Sequence, residues 1–177
     1  MKSEIKDIIL PFFLSLIILV ILEILGTTMM PIIGLQNYMI PFHVLIVLYL
    51  GFKLQTPFIS ILILVVQYVH SFFTVSGWEV GTIAGILICI LISYLRELLH
   101  FTSAIMTIFV TQLFQTVWFV LVSGLLLLRN VEYSFIVEKF WRFLPESLIM
   151  SLLAPFIFAL LDRVWRVSSS GALGEES

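Results

Sequence analysis

Charge is scarce in this chain, and cysteine is nearly absent. Asp, Glu, Lys and Arg make up 11% of its 177 residues, well under the roughly 25% of a soluble globular protein. So small a polar complement leaves too little to wet a surface. The net charge of −2 and the lack of any basic block argue against nucleic acid as a partner. The single cysteine, Cys89, excludes an intramolecular disulfide and CxxC chemistry. Catalytic signatures are missing too: there is no nucleophile elbow, HExxH or Walker loop, and no intramembrane Asp or Lys pair of the kind a pump needs. Ser60 and Ser123 lie in apolar runs without a base at recognisable spacing. The three histidines, His43, His70 and His100, are scattered and have no cysteine or carboxylate at ligand spacing. They read as interfacial or hydrogen-bonded residues, and neither a metal nor a cofactor is expected. A non-enzymatic role follows.

What the chain does have is apolar mass. Hydrophobic residues make up 61% of it, sixteen of them Phe, and the mean hydropathy is +1.18. The apolar runs are continuous, whereas β-barrel strands alternate over about ten residues. An all-α polytopic membrane protein is therefore expected. The opening MKSEIKD leads into an apolar run of spanning length with no A-x-A site nearby, so it reads as a retained first span. Six spans can be marked: Ile8–Gly26 with Pro11 in its first turn, Pro41–Phe52, Pro57–Phe73, Gly81–Leu95, Thr102–Leu128, and Ser147–Val164. Residues 1–166 then form a single membrane domain, and 167–177 form a disordered tail. Thr27–Ile40, interrupted by Pro31, Gly34 and Asn37, reads as a re-entrant or interfacial loop. In Asn130–Glu146, Phe135, Phe140 and Trp141 recur against Glu132, Glu138, Lys139 and Arg142. That pattern predicts a short amphipathic helix at the membrane surface, facing lipid.

Two sets of residues stand out within the spans. In SGWEVGTIAGILICILISYL every fourth residue is small: Gly77, Gly81, Gly85, Cys89 and Ser93. Such a row lets another helix backbone approach closely, either from this chain or from a partner, although Gly77 also suits a loop turn. The other set is polar. Glu23 is the one ionisable group of the first span, and an intramembrane carboxylate is a functional candidate unless it reaches the headgroups. With Gln67, Thr111, Gln112 and Gln115 it could line a polar groove, and hydrogen bonds between packed helices are the other use for such residues. Basic residues set the orientation. Lys2, Lys6, Lys53, Arg96, Arg163 and Arg166 fall on one side, against Arg129, Lys139 and Arg142 on the other, which places both termini in the cytoplasm.

Four features in order carry a family resemblance: the proline-led IPFHVLIVLYLGFKLQTPFIS, the glycine turn SGWEVGTIAG, the basic close SYLRELLHFTS, and SLLAPFIFALLDRVWR with its internal proline. Together they cover most of Pro41–Ser103 and Ser147–Arg166, and the chain resembles the bacterial rod-shape-determining protein D family, MreD. Members often carry an aspartate about four residues before the first glycine of that turn, where this chain has Phe73. The resemblance implies a non-enzymatic scaffold of the inner membrane. Such a scaffold binds the bitopic protein MreC and acts with wall-synthesis enzymes and the MreB filament. The substrate-binding S-component of energy-coupling-factor vitamin transporters is similar in size and span number. Its Ala-x-x-x-Ala docking pattern is missing from IILPFFLSLIILVILEIL, which contains no alanine.

Overall fold

The computed structural model describes residues 2–32, 34, 38–54, 58–74, 77–95 and 103–168, with the side chains of 2–7 and 166–168 outside that description. These residues form six helices: α1 Lys2–Ile32, α2 Phe42–Lys53, α3 Ile59–Ser71, α4 Trp78–Leu95, α5 Ala104–Leu128 and α6 Tyr133–Ser168. No strand occurs among the described residues. Four segments are long and apolar enough to cross a membrane: Ile8–Ile32 of α1, all of α4, all of α5, and Tyr133–Trp165 of α6. The chain is a helical membrane protein. Arg96, Glu97, His100, Asn37, Pro57 and the tail from 169 onward lie outside the described residues.

α2 is the axis of the bundle. It is apolar on every side, a pattern that belongs in an interior, and every residue from Phe42 to Gly51 is buried. It touches all the other helices. Its 12 residues extend only about 18 Å, short of the roughly 30 Å hydrocarbon layer, so its neighbours enclose it. Between apolar helices in lipid, close packing replaces the expulsion of water as the source of stability. Gly51 provides part of that closeness, since a Cβ there would sit 3.0 Å from both Cys89 Sγ and Ile92 Cδ1 of α4.

The small-residue row of α4 contributes only through its middle. A Cβ on Gly85 would lie 2.7 Å from Ile63 Cγ2, and one on Gly81 would lie 2.9 Å from Gln67 Cδ, so α4 rests directly on α3 at both points. Gly77 precedes the helix with open space around it, and Ser93 is exposed with its Oγ bonded back to Ile90 O. A four-residue step overshoots a full turn by about 40°. The five positions therefore wind around the helix, and the single packing side expected for them is corrected to Gly81, Gly85 and Cys89.

Three boundaries differ from expectation. α1 does not stop at Gly26 but continues through Pro31 to Ile32. Thr27 and Thr28 turn their hydroxyls onto the carbonyls of Glu23 and Ile24 at 2.9 and 2.7 Å, which satisfies them within a helix. Pro11 lies well inside α1, and the carbonyl it carries accepts from Ser15 Oγ at 2.8 Å. The expected surface helix and the last span are one helix, α6, with Pro145 and Pro155 inside it. Proline removes one backbone bond, a loss membrane helices absorb when neighbours support them. That support comes from Phe119 of α5, which stacks on Phe143 at 4.6 Å and meets Phe140 at 5.8 Å. Phe135 and Trp141 remain exposed.

One end of the bundle is closed by polar ties. Asp162 Oδ1 accepts from Tyr49 Oη at 2.9 Å and pairs with Lys53 Nζ at 2.9 Å. Beside them Trp165 Nε1 donates to Ser15 Oγ at 3.1 Å. These contacts pin the end of α6 to the end of α2 and to the first half of α1, so α2 runs parallel to α6 and antiparallel to α1.

Candidate functional site

Antiparallel succession brings the end of one helix beside the beginning of the next. Glu23 lies in the last third of α1, His43 is the second residue of α2, and His70 is the last but one of α3. All three meet at the end of the bundle away from Asp162. Glu23 Oε1 stands 2.9 Å from His70 Nδ1 and 3.8 Å from His43 Nδ1. The carboxylate accepts from the His70 ring, as an ionised carboxylate can only accept. The two imidazoles stack with centroids 3.5 Å apart at an interplanar angle of 25°, and the indole of Trp118 meets His43 edge-on at 5.7 Å. The site is dry: Glu23 is 4% exposed and His43 7%.

Two groups here are unsatisfied. Among the described residues, Nδ1 of His43 has no hydrogen-bond partner, nor has Nε2 of Gln67. Gln67 precedes His70 by one helical turn and so shares its face of α3, and it is buried beneath Gly81. A buried polar atom without a partner costs about 1–3 kcal/mol. From α6, the charge of Lys139 is felt at His43, and Glu146 lies within electrostatic reach of Lys139. Glu146 Oε1 also accepts from the backbone N–H of Met39 at 2.9 Å, tying the segment before α2 to α6.

Comparison with protein-family models, characterised proteins and solved structures finds no match. The site therefore has to be read from its own chemistry. A carboxylate oxygen and two imidazole nitrogens converge, with all three donor atoms within 4.8 Å of one another. They can share a proton or hold a metal ion, and the surroundings offer no nucleophile adjacent to a base.

The groove residues expected from sequence divide between two places. Glu23 and Gln67 belong to the cluster just described. Gln112 and Gln115 are spent on a ladder between α5 and α6. Gln112 Nε2 donates to Ser147 Oγ at 3.1 Å, Ser151 Oγ donates to Gln112 Oε1 at 2.7 Å, and Gln115 Nε2 donates to Ser151 Oγ at 3.3 Å. Thr111, beside them on α5, is buried with its hydroxyl unpartnered. His70 is hydrogen-bonded, and its partner is Glu23, 47 residues earlier in the chain, a separation that no ligand spacing announces. His43, expected like His70 to be interfacial or hydrogen-bonded, joins the same cluster. The available signal was topological: three titratable groups, each near a helix end that antiparallel packing sends to the same side.

Proposed function

We propose that this chain is a non-catalytic scaffold of a bacterial inner membrane, crossing it six times with both termini inside. On this reading it works in the rod-shape and wall-synthesis machinery, bound to an MreC-like bitopic protein. The motif order shared with the MreD family motivates the reading. One observation favours it over the vitamin-transporter alternative: Gln112 and Gln115, which a ligand pocket would need, are bonded to Ser147 and Ser151 and hold α5 to α6. An interior filled by its own side chains suits a protein that offers its outside. The outside is ample, since the spanning windows of α1, α4, α5 and α6 are only 28–33% buried. The charge pattern agrees with the proposed orientation, because Lys53 and Arg163 share the Asp162 end while Arg129 pairs with Glu79 at the other.

Co-expression with the MreC-like protein of the same genome tests this. A stable detergent-resistant complex, and loss of rod shape on depletion, are the expected results. A protein that ignores that partner and carries a small organic ligand in native mass spectrometry would move the assignment to the transporter class. Gly81 and Gly85 are unsuitable as interface probes, because both are covered by α3 of the same chain.

A further inference from the structure

We propose that Glu23, His43 and His70 form a binding site for a first-row divalent transition-metal ion of the zinc class. The site is independent of the scaffold reading and stands on its own donors.

Geometry carries the inference. Bonds of about 2.0–2.1 Å at a tetrahedral ion set neighbouring donors about 3.3 Å apart. Glu23 Oε1 and His70 Nδ1, at 2.9 Å, are already at that scale; to ligate, His70 exchanges the Nδ1 proton it donates to Glu23 for one on Nε2, so that Nδ1 turns a lone pair to the ion. His43 Nδ1, at 3.8 Å, has to close by about half an ångström, and because the two imidazoles stack at 3.5 Å with planes 25° apart, one ring must also turn out of the stack for both nitrogens to face the ion. Two imidazoles and one carboxylate leave a fourth position for water, the pattern of open zinc sites. This nitrogen-rich set also selects zinc, cobalt, nickel or copper over magnesium and calcium, which prefer oxygen.

The second observation is the unsatisfied nitrogen. His43 is only 7% exposed, and its Nδ1 has no partner among the described residues. It faces the carboxylate that His70 already engages. A cation between them would give that nitrogen a partner, with His43 in the tautomer that leaves Nδ1 unprotonated. Gln67, one turn before His70 on α3, adds a second buried polar atom, Nε2, with no partner among the described residues. Glu23 brings one negative charge to the donor set. Trp118 packs on His43 and Gly81 seats α4 over Gln67, which confines both side chains.

The test uses the full chain, purified in detergent without a polyhistidine tag, incubated with Zn²⁺ and dialysed. Elemental analysis should find about one zinc per chain. Glu23→Gln and His70→Asn should each lower retention at least roughly tenfold, while Ser93→Ala, on an exposed surface, keeps it. If the variants do not fold, Co²⁺ added to the unaltered chain decides. Visible d–d bands of a tetrahedral centre, with X-ray absorption showing two imidazoles, support the site. Failure of the unaltered chain to retain any ion overturns it. So does retention undiminished in both variants, or a bound ion with no imidazole in its shell.

Discussion

The two ends of this bundle are built from similar residue types and finished differently. At one end Asp162 serves Tyr49 and Lys53 together, and Ser15 serves both Trp165 and a backbone carbonyl. At the other, Glu23 engages His70 while His43 Nδ1 and Gln67 Nε2 go without. Both ends gather polar side chains from distant helices, the first at a partly exposed rim and the second in a buried interior. A folded chain keeps unsatisfied buried groups at a cost of about 1–3 kcal/mol each, so it is the second end that points to function, and the first that points to stability.

Substitutions can break that contrast. The largest effect is expected at the satisfied end. Trp165→Ala removes a buried indole and its bond to Ser15 and should cost about 3 kcal/mol, read by SDS-titrated circular dichroism in mixed micelles; a loss under a third of that would mean this end is not a clamp. Next comes Gly85→Leu, which drives a side chain into Ile63 and Trp118 and should cost about 2 kcal/mol. An unchanged melting temperature would show that α3 and α4 separate easily. Gln112→Leu removes two hydrogen bonds between α5 and α6 and is expected to cost about 1 kcal/mol. If it instead opens a ligand-binding protein, the ladder is a gate.

The most discriminating change is smaller and opposite in sign. His43→Phe deletes an unpartnered nitrogen while keeping a ring against Trp118 and His70. In metal-free protein it should be neutral or stabilise by up to about 1 kcal/mol, and zinc-dependent stabilisation should vanish. A clear loss of metal-free stability would mean that His43 is already satisfied and that the two ends are alike. Smallest of all, Asp162→Asn keeps an acceptor for Tyr49 and loses only the pairing with half-exposed Lys53, worth about 0.5 kcal/mol and removable by salt.

Much of the fold was legible because it depends on local composition. Apolar runs of spanning length declare helices that lipid can tolerate, and α4, α5 and the apolar part of α1 lie where those runs lie. Helix ends were misjudged where proline and polar residues suggested a stop. Thr27 and Thr28 bond within the helix, and Phe119 holds the α6 segment before Pro145. The small-residue row announced close packing, but its partner, Ile63 and Gln67 of α3, could not be read from a periodicity of α4 alone.

The site separates the two kinds of information most sharply. Composition by itself determined that this is a helical membrane protein and marked Glu23 as the one ionisable group of its first span, because the transfer cost of a charge depends on the residue and its apolar flanks; it left open whether Glu23 reaches the headgroups. That Glu23 meets His43 and His70 was decided by tertiary structure alone. The three come from separate helices, so no spacing along the chain encodes their approach. Antiparallel packing around the short buried α2 brings them within 4.8 Å of one another.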